Sequence, residues 1–225
     1  MQYSIEGGSL PAVIISLNPG EKLISEVGGR TWSRGDVTTE TTSNGGAGKA
    51  LGRMLTGESL FMSNYTANSH AEIAFTSSFP GRIIAWQLGP GQSIIAQKSA
   101  FLCATDGVDL SVQVNKKLRA GAAGGEGFLM QRITGPGMVF LEIDGYCKEY
   151  DLAPGEMIVC DTGVLAAMED TVTMDVQTVK GLKNKLLGGE GLFDTTLTGP
   201  GKVYLQTMSA SGLAALLKPF IVTKK

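Results

Sequence analysis

Val108, Leu110, Val112 and Val114 alternate with Asp109, Ser111 and Gln113. A period of two sends one set of side chains to a buried face and the other to water, as in a half-covered strand. The alternation returns at Val172, Met174 and Val176. Three further apolar runs, residues 82–88, 138–143 and 202–207, each follow a Pro-Gly pair. Proline presets φ there and glycine accepts the left-handed position of a β-turn, so each run reads as the strand leaving a turn. Helical spacing is confined to two short stretches, residues 180–187 and 212–217. The pattern predicts an all-β chain.

The punctuation between these runs repeats. A shift that carries Leu88 onto Leu152 also carries Leu88-Gly89-Pro90-Gly91 onto Leu152-Ala153-Pro154-Gly155, without a gap. It places Gly124-Gly125-Glu126-Gly127 on Gly188-Gly189-Glu190-Gly191, and Thr134-Gly135-Pro136-Gly137 on Thr198-Gly199-Pro200-Gly201. A looser third copy opens at Leu17-Asn18-Pro19-Gly20, carries Gly57-Glu58, and shows Phe79-Pro80-Gly81 where the others have Gly-Pro-Gly. Constant register over several motifs is the mark of an internal repeat. The expected organisation is one body of three repeats, 1–87, 88–151 and 152–225, with a polar insertion near 38–48 in the first. A single repeat would bury little and leave strand edges open. Packing three around a pseudo-threefold axis would cover them, and identical subunits could use the same edges again, which predicts a homo-oligomer.

Composition agrees with many strands and tight turns: 31 glycines fall in short clusters, beside 43% hydrophobic and 18% charged residues. A net charge of −2 gives no overall pull toward nucleic acid or an anionic membrane. The run Met1-Gln2-Tyr3-Ser4-Ile5-Glu6 lacks an apolar or arginine-rich leader pattern, and no apolar run has the roughly 18–20 residues a spanning helix needs. Cys103, Cys147 and Cys160 are odd in number, with no Cys-x-x-Cys pair. These features point to a cytoplasmic, reducing setting.

Candidate chemistry is sparse. His70 is the one histidine, too few for a metal-binding double sheet, and no Gly-x-Ser-x-Gly elbow supplies a nucleophile for it. It reads as a surface or strand-end residue. Cys103 falls on Ala167 and Cys160 on Ala96 in the neighbouring copies, which marks small apolar slots rather than reactive thiols. Asn44-Gly45-Gly46-Ala47-Gly48-Lys49-Ala50 departs from the phosphate-binding loop at Ser43 and Ala50. No catalytic residue, metal ligand or cofactor is expected.

The repeated Gly-Glu turns are the candidate binding elements: Gly57 with Glu58, Gly125 with Glu126, and Gly189 with Glu190. Backbone N–H groups of a glycine-rich turn can cradle an anion, and cations precede each turn. These are Lys49 and Arg53, then Lys116, Lys117 and Arg119, then Lys180, Lys183 and Lys185. The alternative is a solvated turn whose glutamate caps or pairs locally.

The strings Gly57-Glu58-Ser59-Leu60-Phe61, Gly189-Glu190-Gly191-Leu192-Phe193 and Thr-Gly-Pro-Gly-x-Val-Tyr/Phe-Leu (134–141 and 198–205) resemble the mitochondrial biogenesis family, named for altered inheritance of mitochondria. The resemblance spans essentially the whole chain. It implies a triplicated double-sheet β-sandwich of jelly-roll type, similar to the trp RNA-binding attenuation protein fold, assembled as a homotrimer. It implies no reaction. The expected function is a non-enzymatic scaffold with an unidentified protein partner. The alternative is a small-anion or nucleic-acid binder using the basic clusters, although the interleaved aromatics of an RNA-reading surface are not evident.

Overall fold

The computed structural model describes residues 1–43, 61–113, 129–178, 193–208, 210–217 and 220–221. These residues form antiparallel strands in four sheets, with two 3₁₀ turns and one helix.

The first sheet has the order β1 (Gln2–Glu6), β2 (Ala12–Leu17), β7 (Ala71–Thr76), β4 (Trp32–Arg34). The second runs β5 (Val37–Ser43), β6 (Phe61–Ala67), β3 (Lys22–Glu26), β10 (Phe101–Thr105), β13 (Gly137–Asp144), β8 (Gly81–Leu88). In the third, β11 (Asp109–Gln113), β12 (Met130–Thr134) and β9 (Ser93–Gln97) continue into β16 (Leu165–Glu169), β19 (Gly201–Gln206) and β14 (Cys147–Leu152). The fourth holds β15 (Met157–Asp161), β18 (Phe193–Thr198) and β17 (Thr173–Thr178).

Three apolar cores lie between successive sheets. Val13, Ile15, Leu23, Phe75 and Phe140 fill the first; Ile94, Ile133, Val139 and Leu141 the second; Ile95, Met130, Leu165, Leu197 and Val203 the third. Ile94 and Ile95 are neighbours on β9 yet enter different cores. A strand covered on both faces loses the need for a polar face, so β9 and β10 read as continuous apolar runs. β2 keeps the alternation, with Val13, Ile15 and Leu17 buried and Ser16 exposed.

Local detail recurs at the 64-residue period. Shifting β9 and β10 by that amount reproduces the bounds of β15 and β16, and the 3₁₀ turn Lys98–Ala100 falls on Thr162–Val164. The register slip between Phe101 and Cys103 on β10 recurs between Leu165 and Ala167 on β16. The period breaks at the end. Where a counterpart of β14 would stand, the chain forms helix α1 (Ala210–Leu217). The reason is local: Cys-Lys-Glu-Tyr-Asp-Leu gives way to a run of Ala and Leu, strong helix formers.

Two details differ from the sequence pattern. Phe79-Pro80-Gly81 leads into β8, whereas Gly135-Pro136-Gly137 joins β12 to β13, so the two motifs are not at equivalent places. In the first part of the chain the matching β6–β7 link is Asn68-Ser69-His70. The polar stretch near 38–48 starts as strand: Thr38 to Ser43 lie in β5, laddered to β6 from Thr66 to Phe61. Its remainder lies outside the described residues, as does the helical expectation at 180–187.

Candidate functional site: buried junctions and open edges

The second and third sheets are each two three-stranded ladders joined edge to edge. β3 meets β10 with Ile24 opposite Ala104 and Leu23 opposite Thr105. β9 meets β16 with Ile95 opposite Met168 and Ile94 opposite Glu169. Both joins are short, with Thr105 and Glu169 as their polar members among apolar residues, and their backbone groups satisfy one another as burial requires.

Beside the second join sits a buried amide network. Gln97 Nε2 donates to the carbonyl of Leu165 at 2.7 Å and to that of Gly163 at 3.2 Å. Gln206 Nε2 donates to Gln97 Oε1 and to the Gly163 carbonyl, each at 3.2 Å, while Gln206 Oε1 accepts from Asp144 N at 3.2 Å. The network ties β9, β13 and β19 to the turn before β16. A buried amide has low net cost only when its donors and acceptors are matched, which is the case here.

Glu142 and Asp144 lie on β13 nearby. Glu142 is buried, and its carboxylate accepts from Ser78 N at 2.6 Å and Ser78 Oγ at 3.3 Å. Burial pushes its pKa up, against the pull of the Ser78 N–H, and the charge of Asp144 adds to the rise. Burial likewise raises Asp144. Between the second and third sheets Tyr204 stacks edge-on to Trp86 at 5.1 Å, and desolvation beside Glu149 lifts its phenol to about 12. That phenol stays protonated at neutral pH.

His70 is exposed in the β6–β7 link. Cys103 and its counterpart Ala167 are both fully buried, and burial raises the Cys103 thiol well above its ordinary value. Ala96 is buried too, but its counterpart Cys160 is only half-buried, with burial, Asp161 and Asp194 raising its pKa to about 11. Among the described residues no three His, Cys, Asp or Glu side chains group as metal ligands. No helix among them is long and apolar enough to cross a membrane.

The candidate binding residues Gly57, Glu58, Gly125, Glu126, Gly189, Glu190, Lys116, Lys117, Arg119, Lys180 and Lys183 lie outside the described residues. In sequence they fall between β5 and β6, β11 and β12, and β17 and β18, three pairs of strands that share ladders. What motif reading missed is that, among the terminal strands of the four sheets, β4 and β15 are the counterparts of strands that are joined edge to edge elsewhere. Their signal in sequence was faint: apolar Trp32, Met157 and Val159 occupy positions that the structure leaves 46%, 65% and 64% exposed.

Comparison with known proteins places this arrangement. The profile of the family described as mitochondrial biogenesis AIM24 matches residues 3–208. An uncharacterized protein of Streptococcus pyogenes serotype M6 is 28% identical, over 99% of this chain and 92% of its own. The X-ray crystal structure of another Streptococcus pyogenes protein, from a structural genomics programme, superposes with a TM-score of 0.79 at 23% identity. The match covers 98% of this chain and 99% of that one, which establishes a shared fold.

Proposed function

The chain belongs to the mitochondrial biogenesis AIM24 family, and on that premise we propose that it is a non-enzymatic scaffold or interaction protein acting as a β-rich homo-oligomer. In this reading three sandwich modules, similar to the trp RNA-binding attenuation protein, surround a pseudo-threefold axis, and three copies assemble. The observation that carries it is the pair of edge-to-edge joins, β3 with β10 and β9 with β16. They turn separate ladders into continuous sheets with apolar cores on both sides, a rigid body suited to presenting loops to a protein partner. The matched family's description names no reaction. Three unpaired cysteines support a reducing, cytoplasmic setting.

Native mass spectrometry of untagged protein tests this directly. The expected result is a multiple of 23.6 kDa, three copies, with no added mass. A monomer, or a stoichiometric bound small molecule, overturns it.

A second reading, small-anion or nucleic-acid binding, is favoured by one observation: each basic Gly-Glu segment falls between paired strands of the same kind. Charge reversal at Lys116, Lys117, Arg119 and Lys183 should then abolish retention on nucleic acid. An unchanged, salt-dependent isotherm would sink that reading.

A further inference from the structure

The two internal joins share one register. Moving Ala104 and Thr105 on by 64 residues gives Met168 and Glu169; moving Ile24 and Leu23 on by 71 gives Ile95 and Ile94. Those are the residue pairs of the second join. The first strand of the join is taken from β3 and then β9, and the next in that series, 64 residues beyond β9, is β15. The second strand is taken from β10 and then β16, and the one before β10 in that series is β4. β15 and β4 are the ends of the series, and both are terminal strands of their sheets.

We propose that β15 of one copy pairs antiparallel with β4 of a second copy, repeating the internal join between molecules. Continuing the register sets Val159 opposite Ser33, Ile158 opposite Arg34 and Cys160 opposite Trp32. This rests on the homo-oligomer part of the reading above and departs from its pseudo-threefold part, in which β15 would meet β4 of the same chain; within the chain the two strands end separate sheets.

Burial identifies the missing cover. Ile95, the counterpart of Val159, is 2% exposed in the third core with Leu165 and Met168 of β16, whereas Val159 is 64% exposed. Cys103, the counterpart of Trp32, is 0% exposed beside β3, whereas Trp32 is 46% exposed. An edge strand carrying unpaired backbone groups and exposed apolar side chains is a template for another strand. Here the matching strand belongs to the same chain's other end. The contact is head-to-tail, so it generates a closed ring or an open filament according to whether the rotation closes.

The test is a chain bearing Ser33→Cys, Val159→Cys and Cys160→Ser, treated with a mild oxidant and run without reductant. Join formation between copies gives covalent species at multiples of 23.6 kDa that collapse on reduction. A cross-linked species of single-chain mass would mean that the ends meet within one molecule, and would overturn the proposal. An oligomer by native mass spectrometry with no cross-link between positions 33 and 159 would overturn it while sparing the oligomer reading; a monomer sinks both. Val159→Lys in the otherwise unchanged chain is the independent variant. It should reduce the native mass to 23.6 kDa with the unfolding transition retained, and an intact oligomer would contradict the assigned edge.

Discussion

Gln97 and Gln206, 109 residues apart in the chain, meet in the buried interior, where Gln206 Nε2 donates to Gln97 Oε1 at 3.2 Å. Each also reaches the carbonyl of Gly163, so one turn is read by two amides from two strands. The arrangement converts sequence-distant strands into a single register, because neither amide can shift by one residue without orphaning the other.

Gln206→Ala should therefore destabilise the protein by about 1–3 kcal/mol, since Asp144 N loses its side-chain acceptor and Gln97 Oε1 a donor. Urea melts should show a lower midpoint with an unchanged slope. The double variant Gln97→Ala/Gln206→Ala should cost less than the sum of the singles by about 0.5–3 kcal/mol. Strict additivity would show that the two amides do not act together.

Glu142 predicts a pH dependence. Its folded pKa lies above the ordinary 4.5 because burial penalises the charge. In the window between 4.5 and the raised value the native state holds more protons than the unfolded state, so this group's contribution to stability falls as pH rises. Asp144 acts in the same direction from 3.8 upward. Glu142→Gln keeps an oxygen to accept from Ser78 N and should flatten its part of the slope between mildly acidic and neutral pH. Denaturant midpoints across that range would measure it; an unaltered slope would exclude Glu142 as a source.

Gly137 begins β13 at φ +152°, and a Cβ there would run into Thr105 Oγ1 and Val108 Cγ2. Thr105 Oγ1 cannot readily withdraw, since it accepts from Met138 N at 2.9 Å. Gly137→Ala should cost about 1–3 kcal/mol or more, from backbone strain with a clash added. Gly91, at φ +74° with open space around it, is the comparison: Gly91→Ala carries the backbone cost alone. Equal shifts in thermal midpoint for the two would refute the clash.

The thiols should be poor nucleophiles in the native state. With a pKa of about 11, Cys160 is only about one part in a thousand thiolate at pH 8, and Cys103 is sealed in the core. Mass spectrometry after brief iodoacetamide treatment should show little labelling at either site in native protein and labelling of all three cysteines in denaturant. Rapid native labelling of Cys103 would contradict its burial.

Much of the fold was legible because it is written locally. Val108 and Leu110 alternating with polar neighbours, and Pro-Gly before residues 82, 138 and 202, mark strands and turns without reference to the rest of the chain. The 212–217 helix showed in its Ala and Leu content. The Phe79-Pro80-Gly81 comparison misled because like motifs can stand at different joints of a sheet; only the β6–β7 ladder partners locate the equivalent link at Asn68-Ser69-His70. Of the candidate site, the Cys103–Ala167 slot was legible, since volume and polarity are inscribed in the residue types. Open edges were expected, but not that β4 and β15 would be the unjoined ones, because Val159 and Ile95 are nearly the same residue and differ in what lies beside them.

By itself, then, the sequence determined the strands, the turns between them and the 64-residue period, each an expression of local backbone preference and side-chain alternation. Tertiary structure alone decided that β3 finds β10 and β9 finds β16, that Ile94 and Ile95 enter separate cores, and that β4 and β15 are left at the ends. Strand pairing is made by backbone N–H and C=O groups that every residue carries alike, so no side chain names its partner. The choice belongs to the packing of the whole chain.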